Sequence, residues 1–229
     1  MIKDPPLLKI RRNFPRPDAQ LLRRLNHVQT GFLVDCMDGR GALDYRIKPL
    51  APDNCRFTGT ALTCFAGPAD NLAVFAALEV AQPGDVIVAG TDGFTQACVT
   101  GDLLLGMARN RGVSGFVTDG LVRDVEGILY VEMPTFCLGV TPNSCARTGP
   151  GTVGLPLSLG GVTVESGDVI VGDRDGVVVV PRQDLARVCQ QLTAVQEAEA
   201  DMARRVRLGL KNIESVQQLL ASDRTEYLD

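Results

Sequence analysis

The 229-residue sequence holds a single histidine, His27, and that scarcity excludes two large classes of chemistry. A zinc centre usually draws on several nitrogen or sulfur ligands, and a serine nucleophile of the triad type needs an imidazole beside it. His27 falls on a first helix near Leu22, Leu25 and Val28 and reads as a structural or exposed residue. General acid–base work is left to carboxylates, arginine and water. The seven cysteines form no CxxC pair: Cys36, Cys55, Cys64, Cys98, Cys137, Cys145 and Cys189 are scattered, several in apolar company. They read as reduced core residues of a cytoplasmic protein. No apolar run approaches the ~20 residues needed to span a bilayer. The opening MIKDPPLLKIRRNFPRP is basic and broken by proline, without the apolar segment of a secretory signal. A net charge of −4 with no clustered basic stripe argues against nucleic acid as a partner. No compositional break or low-complexity linker divides the chain, so residues 1–229 read as one domain.

What is present is an alternation of helix and strand signals. Residues 1–15 look like an extended arm, and Pro17 begins a helix running to about Val28. A helix over Asn71–Ala81 precedes a strand over Asp85–Ala89, and a helix over Leu103–Arg111 precedes a strand over Gly115–Thr118. This spacing predicts a mixed α/β domain with a largely buried sheet. From Leu155 to Val180 the pattern changes to short strands split by Gly-Gly, Ser-Gly-Asp and Asp-Gly, a hairpin signature. The chain ends in helices, Gln183 to about Leu208 and then from Lys211 to about residue 221. Gly149–Gly154 matches GxGxxG, but no helix follows, so no dinucleotide fingerprint is present. Asp173-Arg174-Asp175-Gly176 lacks the acid that closes a calcium loop and reads as a hairpin turn.

The chemistry concentrates in GDLLLGMARNRGVSGFVTDGLVRDVEGI, which begins at Gly101. Asp102 opens a helix, and Arg123-Asp124 follows the end of a strand, with twenty residues between Asp102 and Arg123. That length lets the connection return to the same rim. The first amides of the helix have no intrahelical partner and make an anion site, which gives Gly101, Asp102, Leu103 and Leu104 to a substrate carboxylate. Asp102 is equally a good N-cap. Arg123 offers a planar fork of donors to a carboxylate or enolate oxygen, and Asp124 a hard oxygen to a hard cation. As a bare pair, Arg123-Asp124 also fits a surface ion pair or a helix start.

The spacing of Asp102 to Arg123-Asp124 around GVSGFVTDG resembles the family of RraA proteins and class II 4-hydroxy-4-methyl-2-oxoglutarate aldolases. Asp70-Asn71-Leu72, the helix AVFAALEVA and PGDVIVAG resemble the same family, as does SGDVIVGDRDGVVVVP from Ser166 to Pro181. The likeness covers about residues 30 to 210. It implies a three-layer β/β/α sandwich of the swivelling-domain type and ring-like trimers, or hexamers, with sites between neighbours. It implies a divalent-metal-dependent lyase, using Mg2+ or Mn2+, on a small 2-oxo acid. The reaction so implied is retro-aldol cleavage of a 4-hydroxy-2-oxo acid releasing pyruvate, decarboxylation of oxaloacetate, or both. On that resemblance Asp124 is expected to hold the metal, Arg123 and Asp102 to be catalytic, and Asn71 to join the substrate-binding set. Where relatives carry a lysine near the GPGTVG loop, this chain has Arg147. The alternative is a non-catalytic RraA-type regulator that binds an RNA-degrading enzyme. A third label borne by such sequences, a menaquinone-type methyltransferase, finds no cofactor loop here.

One acid stands apart. On a helical wheel of Gln183–Val206, Leu185, Val188, Cys189, Leu192, Val195, Met202 and Val206 make one apolar stripe that contains Glu199. A lone buried carboxylate is costly. Either the helix frays or bends near Ala198 and exposes Glu199, or Glu199 points into a subunit interface or polar site and acts as a third catalytic residue.

Overall fold

The computed structural model describes residues 6–228, so the first residues of the expected arm lie outside the description. The rest of the arm is extended, and β1 (Leu8–Ile10) runs parallel to residues 151–153 at a sheet edge. Helix α1 (Ala19–Arg24) starts at Asp18, whose carboxylate accepts from the Gln20 and Leu21 amides at 2.7 and 3.0 Å. Such a cap satisfies amides that the first turn leaves open. The helix does not run to Val28 as the pattern predicts. It stops at Leu25, His27 turns the chain with φ of 62°, and α2 (Thr30–Asp35) follows. Leu25, Val28 and Leu33 all enter one apolar cluster, so the helical spacing continues across the break. His27 is an exposed turn residue.

Next come β2 (Lys48–Pro49), β3 (Phe57–Phe65), α3 (Leu72–Val80), β4 (Asp85–Gly90), β5 (Cys98–Thr100), α4 (Asp102–Asn110), β6 (Gly115–Thr118), β7 (Leu121–Val122), α5 (Val125–Val131) and β8 (Thr135–Cys137). Strands β3, β4, β6 and β8 are parallel neighbours. In β4, Ile87 and Ala89 join one core while Val86 and Val88 join another, the two-residue period of a strand covered on both faces.

After β9 (Gly139–Val140) and β10 (Gly151–Val153), the expected hairpins appear as β11 (Leu157–Leu159) with β12 (Val162–Val164), and β13 (Val169–Gly172) with β14 (Val177–Val180). Residues 151–153 of the GxGxxG stretch form β10, with no helix after it. Asp173 sits in the β13–β14 turn, where it accepts from the Thr30 amide and hydroxyl at 2.9 and 2.8 Å. Helices α3, α4 and α5 cover one face of the sheet, and the β11–β12 hairpin supplies Leu157, Leu159 and Val164 to the other. Helix, sheet and hairpin stack as three layers, the β/β/α order of the implied fold. A third core lies where α1, α2 and α6 (Leu185–Arg207) cover the outward residues of β13 and β14. Helix α7 (Glu214–Leu220) follows. All seven cysteines are free, and all but Cys145 are buried. Among the described residues no helix is long and apolar enough to cross a membrane.

Candidate active site

Strands β5, β7 and β9 form a small parallel sheet of their own, and this sheet aligns the two acid-bearing turns. β5 runs into α4 and β7 into α5, so Gly101-Asp102 and Arg123-Asp124 leave neighbouring strands in the same direction. The Arg123 amide donates to the Thr100 carbonyl at 3.1 Å, which ties the two turns together. They open on a cleft of about 260 Å³ lined by Asn71, Gly101, Asp102, Leu103, Leu104, Arg123 and Asp124, the whole cleft set expected apart from Glu199.

The helix start is displaced by one residue. Gly101 is the N-cap and Asp102 the first helical residue of α4. The Asp102 Oδ1 accepts from the Leu103 amide at 2.7 Å, which removes one of the amides expected to meet a substrate. The Leu105 amide bonds the Gly101 carbonyl at 3.1 Å, so the Leu104 amide remains for a ligand, as do those of Gly101 and Asp102. Gly101 is extended, with φ of −149°, and is not needed for backbone freedom. Its role is space: a Cβ there would lie 2.5 Å from the Asp124 Oδ2. Gly127 on α5 does the same for the other acid, since a Cβ would lie 2.6 Å from that of Asp102.

Asp124 occupies the N-cap of α5 in the left-handed region, φ 59° and ψ 49°, and its side chain makes no capping bond. That conformation is uncommon for a residue with a side chain, although aspartate tolerates it better than most. The carboxylate instead lies 3.1 Å from the Arg123 Nε. Arg123 also donates from Nη1 to the Ser144 hydroxyl. Among the described residues no group of three or more His, Cys, Asp or Glu side chains is gathered to hold a metal by itself.

The opposite wall is built by α3 and the segment before β10. Asn71 does not cap α3 with its side chain; its Oδ1 accepts from the Arg147 Nε at 3.4 Å, and the Arg147 guanidinium lies 3.9 Å above the Phe75 ring. Asp70 is buried, which pushes its pKa up, but bonds from Leu72, Thr148 and Gly149 outweigh burial and leave it below the ordinary carboxylate value. Phe75, Cys98, Thr100, Met107, Ser144 and Cys145 also line the cleft, and sequence reasoning missed them. Spacing offered no signal for Ser144 or Cys145, which arrive from a distant loop. Among the described residues no lysine lines the cleft.

Glu199 is not brought to this cleft within the chain. Helix α6 stays helical through position 199, so fraying does not expose the acid. It is exposed because the helix runs past the body: Leu185, Val188, Cys189 and Leu192 are buried, and the turns after Val195 face solvent.

An RraA-like family profile, described as Aldolase/RraA, matches residues 30–179. The chain is 36% identical over 203 residues to a protein of Halalkalibacterium halodurans named "Putative 4-hydroxy-4-methyl-2-oxoglutarate aldolase", covering 89% of this chain and 95% of that protein. A crystal structure of a Pseudomonas syringae protein superposes with a TM-score of 0.77 at 29% identity, covering 86% of this chain and 97% of that one. RraAS2 of Streptomyces coelicolor, described as an unusual member of the RNase ES inhibitor RraA protein family, superposes with a TM-score of 0.73 at 30% identity. That alignment covers 83% of this chain and all of the other.

Proposed function

We propose a carbon–carbon lyase from one premise: the chain belongs to the RraA-like, Aldolase/RraA family. Its substrate is a short 2-oxo acid carrying a second carboxylate, either a 4-hydroxy-2-oxo acid cleaved to pyruvate or oxaloacetate decarboxylated to it. Both reactions build an enolate beside a carboxylate. The observation that carries the proposal is an acid at a helix N-cap that does not cap. Asp124 leaves its carboxylate beside Arg123 in the cleft, where α4 also opens.

Arg123 holds the developing oxyanion, its guanidinium aimed by Asp124 and Ser144. The substrate carboxylate seats at the α4 opening, Gly101 to Leu104, with the Leu104 amide among its donors. Asn71, its Oδ1 engaged by Arg147, has its amide donors left for substrate. Asp102 orders a water or carries the proton, its Oδ2 being free of the bond that occupies Oδ1. Mg2+ or Mn2+ fits Asp124, because such cations take one or two carboxylates and complete their shell with water and substrate. When bound, the cation supplies Lewis-acid polarisation of the 2-oxo group. The absence of lysine from the cleft removes the amine a Schiff-base aldolase requires. Glu199 serves only if it reaches the cleft of a neighbouring chain in a trimer or hexamer.

The deciding experiment is pyruvate release from oxaloacetate and from 4-hydroxy-4-methyl-2-oxoglutarate, with magnesium and with chelator. EDTA abolishes release, and magnesium or manganese restores it. Full activity in verified metal-free protein removes the cation from the mechanism. No release from either substrate favours the regulator role, for which the likeness to RraAS2 speaks.

A further inference from the structure

Arg123 and Arg147 both line the cleft, yet they differ in charge balance. Arg123 is paired with Asp124. Arg147 makes no ion pair among the described residues. Its restraints are the Phe75 ring at 3.9 Å and the neutral Asn71 Oδ1 at 3.4 Å, neither of which cancels its charge. The backbone around Arg147 is pinned on both sides. The Ala146 amide donates to the Ala69 carbonyl at 2.7 Å and the Asn71 amide to the Ala146 carbonyl at 3.1 Å. Beyond Arg147, the Asp70 Oδ2 accepts from the Thr148 amide at 2.6 Å, the Thr148 hydroxyl at 3.1 Å and the Gly149 amide at 3.0 Å. Its Oδ1 accepts from the Leu72 amide at 2.8 Å.

Three of these four donors converge on Oδ2 and one on Oδ1, so the carboxylate clamps the loop after Arg147 to the start of α3. The acid that grips the Arg147 segment is turned to the loop backbone and to α3 and makes no ion pair with the Arg147 guanidinium. We propose that Asp70 is a positioning residue for substrate discrimination: it fixes Arg147 against Phe75 as an unpaired guanidinium that selects substrates carrying a second anionic group. The same carboxylate starts α3, so it aligns Asn71 and Phe75 with Arg147 in one step. This inference rests on the proposal that the cleft takes a 2-oxo acid.

The test is Asp70→Asn, which keeps the shape but turns an NH2 group toward donors. KM for oxaloacetate rises by about 10-fold or more, the scale of losing bonds to a charged group, with kcat within about 3-fold. In an Arg147→Ala background the same substitution adds less than about 2-fold, because the two act through one element. An unchanged KM, or a loss of kcat that persists in the Arg147→Ala background, overturns the inference and leaves Asp70 as loop support. If Asp70→Asn does not fold, Thr148→Val removes only the hydroxyl donor and raises KM in the same direction; no rise overturns the inference. If the wild-type protein releases no pyruvate, the lyase proposal fails and calorimetric binding decides this one separately. Asp70→Asn then weakens the dianion oxaloacetate more than the monoanion pyruvate, and equal weakening, or binding of neither, overturns it.

Discussion

At Gly101 a missing side chain lets two acids share one cleft. A methyl group there would meet the Asp124 Oδ2 at 2.5 Å, so Gly101→Ala must turn that carboxylate away or shift α5. The expected outcome is a fall in kcat of about 10²-fold, the cost of a displacement near 1 Å in a catalytic group. The melting temperature stays close to the parent's, because the glycine is extended and an alanine adopts that backbone freely. Collapse of the fold in place of lost turnover would show that Gly101 serves packing. Arg123→Lys keeps the charge and loses the planar fork that reaches both Asp124 and Ser144. Its kcat falls by at least ~10²-fold, the scale for one oxyanion donor, and a near-normal kcat would reduce Arg123 to an anchor for α5. Gly101, Asp102, Arg123 and Asp124 are legible in sequence because strand–turn–helix order puts them on one rim. Gly127, Ser144 and Phe75 are not, since their roles depend on which separate elements come into contact.

Among elements, α6 separates pattern from environment. Its apolar stripe reads correctly through Val206, but only the portion over β13 and β14 has a surface to cover. Periodicity reports which side of a helix is apolar; it does not report where the neighbouring sheet ends. Two stability predictions follow from that division. Leu192→Ala removes a buried side chain and costs about 2–5 kcal/mol in denaturant unfolding. Glu199→Ala, on the exposed portion, changes stability by no more than about 0.5 kcal/mol in dilute protein. A large loss from Glu199→Ala in dilute protein would mean that the acid is held within its own chain. The extension of α1 to Val28 in the sequence reading has a similar cause, since Leu25 and Val28 pack into one cluster on either side of the helix end. The hairpins were legible because their glycine turns are local, and β10 was not, because its partners β1 and β3 are remote.

For the whole molecule the open question is what meets the outer half of α6 and the exposed apolar residues Val206, Leu208, Ile213, Leu219 and Leu220. We propose that a second copy in a closed ring covers them and brings Glu199 to a neighbouring cleft. Purified protein then runs as a trimer or a multiple of three. Mixing inactive Glu199→Ala and Asp124→Ala subunits restores part of the activity, because some interfaces carry both acids intact. A monomeric active protein, or no recovery after verified exchange, removes Glu199 and leaves Asp102, Arg123 and Asp124 as the acting set. If a second copy covers the overhang of α6, dilution becomes a selective denaturant. A dozen or so residues of unsupported helix are marginal in water, and a partner stabilises them only by mass action. The molecule then has two lengths, a short one at low concentration and a long one at high concentration, with the sheet, the hairpins and the Arg123 cleft the same in both.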